Sequence, residues 1–163
     1  MIQQTNITKQ TIRNFSSGKY YKILLIAKGS YQFELNQTLV SCNTETAVFL
    51  RPGEKTTLQF QQNRFPLELL TIQVLPSYLK ELSDESFDLE QAFSLIPLSK
   101  SIIHLDTRDT TLIKNVTRTL ITLSQNPTVL GQELYQKNML SILLILFLRS
   151  CMASDHITFF PQS

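Results

Sequence analysis

The stretch from Tyr20 to Thr57 constrains the fold most, because it consists of short apolar runs at nearly even spacing. Turn-forming residues separate these runs: Gly29-Ser30, Asn36-Gln37 and Pro52-Gly53. Residues 30–35 alternate apolar and polar side chains, which is the pattern of a half-buried strand. Short strands with turn signals between them are typical of a small antiparallel barrel or sandwich.

The region before this stretch is mainly polar. Residues 1–19 contain only isolated apolar positions and predict an N-terminal arm, with a first strand near Thr11–Phe15. After the strands, Pro76 is suited to the first turn of a helix, and a second short helix is expected at Leu89–Phe93.

The periodicity becomes helical from about Asp106. An amphipathic helix is predicted from there to Gln125, and a final helix from Gly131 to Met152. The second half of the final helix, Met139–Leu148, is apolar on nearly every side, so every side of it must be covered. The expected class is α+β: an N-terminal antiparallel β-barrel followed by helices that form an antiparallel pair.

Composition excludes several classes of protein. The 163 residues carry a net charge of only +2, and the lysines and arginines are scattered, so direct nucleic-acid binding by this segment is not expected. The apolar run in the last helix is half of the about 20 residues that a membrane span needs. Cys42 and Cys151 lie far apart in the chain and are expected to be buried, reduced thiols. These features and the polar N-terminus predict a cytoplasmic protein without a membrane segment.

The arrangement resembles the N-terminal sensor domain of AraC/XylS-family transcription regulators over about residues 15–152. The resemblance rests on three segments: Tyr20–Gly29, the run from Ala47 to Gly53, and the leucine-rich helix that ends at Leu148-Arg149. It implies a cupin-like barrel (1–105), dimerisation helices (106–153) and the start of a linker (154–163). The family's helix-turn-helix domain would then be missing, and DNA would be a partner only through that missing domain.

The resemblance also bears on metals and cofactors. In the cupin pattern Lys22 takes the place of the glutamate ligand, Ser16 and Gly18 fall near the two histidine positions, and Thr56 takes the last one. None of these supplies the imidazole or carboxylate donors that such a metal site needs. The sequence therefore predicts no metal, no cofactor and no metal-dependent enzyme.

Lys22 is the most distinctive candidate for a binding residue, because the resemblance implies that it points into the barrel. A buried ammonium group needs a partner. That partner is either a carboxylate of the chain, such as Glu34 or Glu68, or an anionic effector. Six residues are predicted to share the interior, with ordinary core as the alternative for each: Tyr20, Leu24, Tyr31, Phe33, Thr56 and Leu58.

The final helix is the expected homodimer interface, with complete burial inside one chain as the alternative. The predicted interface residues are Leu140, Leu143, Leu144, Phe147 and Cys151. The favoured function is thus a sensor and dimerisation domain that binds a small-molecule effector. The alternatives are a metal-free cupin enzyme and a stand-alone binding protein, although the chain contains none of the GxSxG, P-loop or GxGxxG motifs.

Overall fold

The computed structural model describes residues 2–7, 11–28, 31–35, 38–60, 67–125 and 130–153. Side chains are described for residues 16–26, 39–41, 43–56, 68–125 and 130–152. The chain divides into two compact units, Met1–Leu75 and Pro76–Ser163. The predicted functional division between residues 105 and 106 stays a prediction, and the predicted linker at 154–163 lies outside the described residues.

The first unit consists of antiparallel strands in two sheets. The strands are β1 Ile2–Ile7, β2 Thr11–Ser16, β3 Tyr21–Lys28, β4 Tyr31–Leu35, β5 Thr38–Cys42, β6 Thr46–Leu50, β7 Lys55–Phe60 and β8 Leu67–Val74. Their order is β1-β8-β3-β6 in one sheet and β2-β7-β4-β5 in the other.

The central strands of the first sheet are buried on both faces. All five residues of β6 are buried, and so are the four consecutive residues 23–26 of β3. Leu25 and Phe49 are completely inaccessible to solvent. Burial on both faces explains why the sequence of β3 is a continuous apolar run and does not alternate.

The second unit contains four helices and one short strand: α1 Pro76–Leu82, α2 Leu89–Ser94, β9 Ile102–His104, α3 Thr107–Gln125 and α4 Gln132–Ala153. The Asp88 side chain caps α2 by accepting a hydrogen bond from the backbone N–H of Gln91 at 3.0 Å. Phe93 of α2 stacks on Phe147 of α4, with 6.1 Å between the ring centroids.

The helices α3 and α4 form the predicted antiparallel pair. At one end, Gln132 Nε2 donates to the carbonyl of Leu123 at 2.9 Å. At the other end, the backbone N–H of Asp106 donates to Ser150 Oγ at 3.1 Å. The start of each helix therefore lies beside the end of the other, as a short connection requires.

The α+β class and the antiparallel helical pair are confirmed. The prediction of an arm at the N-terminus was wrong for residues 2–7, which form β1 and pair with β8. This strand has few apolar residues, and its place depends on a partner more than sixty positions away, such as Ile72 opposite Ile2. In the part of the chain that the structure describes, no helix has both the length and the hydropathy needed to cross a membrane.

Candidate functional site

Two turns are joined at one end of the strand unit. The β2–β3 turn spans residues 17–20 and the β6–β7 turn residues 51–54. The Ser17 N–H and hydroxyl both donate to the carbonyl of Glu54 at 3.0 Å, and the hydroxyl also donates to the carbonyl of Arg51. The N–H of Gly53 donates to the carbonyl of Gly18 at 2.7 Å. Both glycines have positive φ, 56° and 84°, which disfavours other residues there. These bonds hold the two turns together.

Lys22 lies just after this pair of turns, near the start of β3. Its side chain is half-buried, and Nζ donates to the backbone carbonyl of Ser16 at 3.1 Å. Because Ser16 ends β2, the ammonium group links a strand of one sheet to a strand of the other. Desolvation by burial lowers the pKa of Lys22 below its ordinary value. The site thus contains a partly desolvated cation.

Lys22 forms no ion pair with any residue whose side chain the structure describes. Glu68, one of its two predicted partners, pairs across the sheet with Lys28. Lys28 is at the other end of β3, about 20 Å away at the rise of an extended strand. The side chain of Glu34, the other predicted partner, lies outside the described residues. The contact with Ser16 is therefore the polar contact of this ammonium group in the described part of the chain.

Thr56 is the second unusual polar group at this end. Thr56 is 6% exposed, and its Oγ1 has no hydrogen-bond partner in the described part of the chain. Thr56 lies close to the Lys22 contact, because Ser16 pairs in the sheet with Lys55, the preceding residue. A buried hydroxyl without a partner costs about 1–3 kcal/mol of folding free energy. A ligand that hydrogen-bonds to Thr56 would remove this cost.

The other predicted interior residues are distributed differently. Leu24 is buried, 1% exposed, and lies two positions after Lys22 on the same face of β3. Tyr20 is half-buried in the β2–β3 turn, where Lys19 Nζ is 5.8 Å from the ring centroid. Tyr31 and Phe33 belong to β4 and Leu58 to β7, but their side chains lie outside the described residues.

A stack of side chains that was not predicted from the sequence lies on the other face of β3. Tyr21 and Phe49 stack with 5.9 Å between centroids, and the guanidinium group of Arg51 lies 5.0 Å from the Phe49 ring. Arg51 is also paired with Glu54 at 3.1 Å. The spacing of Phe49 and Arg51 in the sequence is a weak signal for this stack, because alternate strand positions share a face. The stack of Tyr21, Phe49 and Arg51 packs next to the turn that contains Gly53.

Most of the residues predicted for a dimer interface belong to the core of a single chain. Leu143, Leu144, Phe147 and Cys151 are at most 2% exposed, and Leu140 is half-buried. Burial within one chain, the alternative left open by the sequence, describes these four. Their contact with a second copy stays a prediction.

Acidic, histidine and cysteine side chains do not form a metal site in the described part of the chain. There, no three of these groups lie close enough together to hold an ion. The polar groups at this end of the strand unit include the Lys22 ammonium group, the Thr56 hydroxyl and the Arg51–Glu54 ion pair. An ammonium group and a hydroxyl can both hydrogen-bond to a ligand.

The chain thus has an α+β fold in which two antiparallel sheets are followed by a helical hairpin. The family model described as AraC-like ligand binding domain matches residues 6–134. The chain belongs to this family, which confirms the resemblance seen in the sequence. No curated protein sequence matches the chain.

Solved structures show the same fold at low sequence identity. The unsaturated fatty acid-bound form of ToxT from Vibrio cholerae matches with a TM-score of 0.64 and 14% identity, over 99% of this chain and 57% of that one. The AraC-like transcriptional activator CuxR matches with a TM-score of 0.59 and 12% identity, over 99% of this chain and 54% of that one. The chain thus spans little more than half the length of either protein.

A third solved structure is ToxT from Vibrio cholerae bound to (E)-4-(8-methylnaphthalen-1-yl)but-3-enoic acid. It matches with a TM-score of 0.56 and 12% identity, over 99% of this chain and 67% of that one. At these identities the likeness establishes the fold.

Proposed function

We propose that the chain is the effector-sensing and dimerisation part of an AraC-type transcription regulator. In this proposal a small anionic effector binds at the Lys22 end of the strand unit, and the chain forms a homodimer through α4. DNA is bound by a domain outside this sequence. The protein acts in the cytoplasm, as a sensor and not as an enzyme.

The observation that carries the proposal is the state of the Lys22 ammonium group. It is partly desolvated, and one backbone carbonyl is its polar partner in the described part of the chain. An ammonium group has three N–H donors, so two stay available for an anion. A carboxylate would offset the desolvation by charge and hydrogen bonds. In this proposal the anion also accepts a hydrogen bond from Thr56, which follows Lys55, the residue that pairs with Ser16.

The surroundings of Lys22 favour an effector that is mainly apolar. The neighbouring position on the same face, Leu24, is 1% exposed, and Leu50, which pairs with Lys22 from β6, is 2% exposed, whereas Gln73 pairs with Lys22 from β8. Both ToxT complexes described above contain a carboxylic acid with an apolar body. An apolar carboxylate is therefore the effector class we propose for this chain.

The proposed mechanism links the effector site to dimerisation. A ligand changes an equilibrium between two arrangements only if it binds one of them more tightly. The Lys22 site contacts the end of β2 and lies beside the two joined turns, so the effector would stabilise one arrangement of this end. That arrangement would alter how the two copies present their DNA-binding domains.

The test is a binding titration of the full chain with an unsaturated fatty acid, oleate, followed by calorimetry. We expect Lys22→Met to weaken binding at least about tenfold, because one charge-assisted contact is worth about 1.5–3 kcal/mol. Lys55→Met is the matched control, since Lys55 is an exposed lysine on β7, the strand that pairs with β2. The methyl ester of oleate should bind the wild-type chain as weakly as oleate binds Lys22→Met. Equal binding of oleate by the wild type and Lys22→Met would refute the proposed site.

A further inference from the structure

A pocket lies beside the last turns of α4 in the helical unit. Its volume is about 240 Å³, and its lining residues are Phe87, Ile145, Leu148, Arg149 and Met152. Phe87 comes from the loop between α1 and α2. The other four follow one another along α4 at steps of three, one and three positions, so they share one face of that helix. The pocket is therefore formed by a loop and a helix of the same unit, whereas Lys22 belongs to the strand unit.

The Phe87 wall of the pocket is held by hydrogen bonds within its own loop. Asp84 Oδ1 accepts from the N–H of Phe87 at 3.0 Å, from the N–H of Ser86 at 2.8 Å and from the Ser86 hydroxyl at 2.6 Å. The N–H of Asp84 donates in turn to the carbonyl of Phe87 at 3.2 Å. A wall that is already ordered loses little conformational freedom when a ligand binds.

The volume of the pocket is suited to one ring that carries a small polar group. An engineered cavity of about 150 Å³ holds benzene, and a group of the size of water takes about 30 Å³. The pocket thus has room for an aromatic ring and a carboxylate group, but not for a long acyl chain such as that of oleate. An aromatic ring is favoured over an aliphatic group, because both the Phe87 ring and the Met152 thioether make favourable contacts with aromatic rings.

Arg149 determines which polar group the pocket prefers. Its side chain is exposed and forms no ion pair with any residue whose side chain the structure describes. A guanidinium group stays protonated and can bind a carboxylate through two parallel hydrogen bonds. Leu148, the preceding residue, is only 3% exposed. An apolar body can therefore lie against Leu148 while its carboxylate stays at the edge of the pocket beside Arg149.

We propose that this pocket is a second ligand site, which binds a small aromatic carboxylate. The ring lies against Phe87 and Met152, and the carboxylate pairs with Arg149. This inference goes beyond the proposed effector site, because the pocket belongs to the helical unit and takes a smaller molecule. The five residues predicted for the dimer contact are not among those that line the pocket. A bound ligand links the loop before α2 to the end of α4, so it stabilises the folded form of the helical unit by mass action.

The test is an NMR titration of the full chain, labelled with ¹³C in the methionine methyl groups, with phenylacetate as the probe. The sequence contains three methionines, and Met152→Leu identifies the Met152 resonance. Phenylacetate should shift this resonance saturably, with a Kd of about 1 mM for a small ligand that makes an exposed ion pair. Met139 lies about 20 Å away along α4 and is the internal control, whose resonance should not shift.

Two matched variants test the contribution of charge in the same titration. Arg149→Met should weaken the binding of phenylacetate about three- to tenfold, because it removes the cation at the edge of the pocket. Lys137→Met removes an exposed cation about 18 Å earlier on the same helix and should leave binding unchanged. Phenylacetamide, which is neutral and of the same shape, should bind the wild-type chain as weakly as phenylacetate binds Arg149→Met.

One further variant tests the volume of the pocket. Ile145 is half-buried, so Ile145→Trp can fill the pocket without entering the core, and it should abolish the saturable shift of Met152. Circular dichroism checks that each variant is folded. A Met152 shift of unchanged amplitude and affinity in folded Ile145→Trp would show that phenylacetate binds elsewhere and would overturn the proposal.

The remaining outcomes separate this inference from the proposed function. A Met152 resonance that does not shift at about 10 mM phenylacetate, tenfold above the expected Kd, overturns the second site, and this includes a pocket that another part of the chain or a second copy fills. Equal losses of affinity in Arg149→Met and Lys137→Met overturn the role of Arg149. Binding of phenylacetate that is lost in Lys22→Met would assign it to the effector site and overturn the second one. Oleate binding should be unchanged in Arg149→Met, so either proposal can fail while the other stands.

Discussion

The two units of the chain treat their buried hydroxyl groups differently. In the helical unit, Thr110, Thr117 and Ser150 each donate to the carbonyl four positions earlier, at 2.9, 2.7 and 3.3 Å. In the strand unit, the Ser17 hydroxyl donates to the carbonyl of Glu54, and the Thr46 hydroxyl donates to the carbonyl of Asn43. Thr56, near the start of β7 in the same unit, has no partner among the residues that the structure describes.

The difference follows from backbone geometry. A helix offers each threonine or serine a carbonyl on its own preceding turn, so a buried hydroxyl is satisfied locally. The carbonyls of a paired strand are bonded to the neighbouring strands, so a hydroxyl that points inward depends on whatever lies opposite. An unsatisfied hydroxyl in a β-structured interior therefore indicates a place for a ligand more strongly than a buried hydroxyl in a helix does.

The largest expected effect tests whether a buried charge destabilises the helical unit more than it destabilises the strand unit. Leu144 and Leu24 are both 1% exposed, one in each unit. Leu144→Glu buries a charge without a nearby cation on its helical turn and should cost more than about 4 kcal/mol, enough to unfold the domain. Leu24→Glu places the carboxylate beside the ammonium group of Lys22, which can pair with it, and should cost less. Urea denaturation measures both.

One control for this pair is an exposed position on the same helix, and the other is a double variant in the strand unit. Ile142→Glu changes a residue of α4 that is 43% exposed and should leave the chain folded. When it is combined with Lys22→Met, Leu24→Glu should lower the free energy of unfolding as much as Leu144→Glu does. If Leu24→Glu costs the same with and without Lys22, then Lys22 does not face the interior as an available cation.

The sequence alone was sufficient for the fold where a local pattern decides the structure. The amphipathic pattern that became α3 was predicted within one residue of its observed ends. β1 was missed because its two isoleucines show no local pattern, and its pairing with β8 depends on contacts far apart in the sequence. Local periodicity contains no information on such a partner.

Only part of the candidate site could be predicted from the sequence. Lys22 stands out because a charged residue interrupts an apolar strand. Its contact with Ser16 involves a backbone carbonyl, which has no signature in the side-chain sequence. The unpaired state of Thr56 results from the way the strands come together, so no pattern of residues predicts it.

A pair of isosteric changes of intermediate size tests the comparison directly. Thr56→Val removes an unsatisfied hydroxyl and should stabilise the ligand-free chain by about 1 kcal/mol. Thr117→Val removes a hydroxyl that is bonded to the carbonyl of Ile113 and should destabilise it by about 1 kcal/mol. Thermal unfolding and urea denaturation measure both signs. Two destabilising changes of equal size would mean that the Thr56 hydroxyl has a partner in solution, and the contrast between the units would disappear.

The smallest expected effect concerns the pH dependence that Lys22 confers. Desolvation lowers the pKa of Lys22 in the folded chain, whereas the unfolded chain has the ordinary lysine value. Between these two pKa values the unfolded chain binds more protons, so the free energy of unfolding rises with pH in this window. Below it, the folded chain bears the full cost of holding the desolvated charge. The wild type should therefore gain stability relative to Lys22→Met as the pH rises through the window.

Oleate should reverse this sign, because a bound carboxylate favours the charged form of the amine and raises its pKa in the complex. In the presence of saturating oleate the wild type should lose stability relative to Lys22→Met as the pH rises past the ordinary lysine value. Urea denaturation of both chains across alkaline pH, with and without oleate, measures this reversal. A ligand-free difference that stays constant with pH would show that Lys22 is as well solvated as a surface lysine, and the strand unit would then lack the desolvated cation on which an anion site depends.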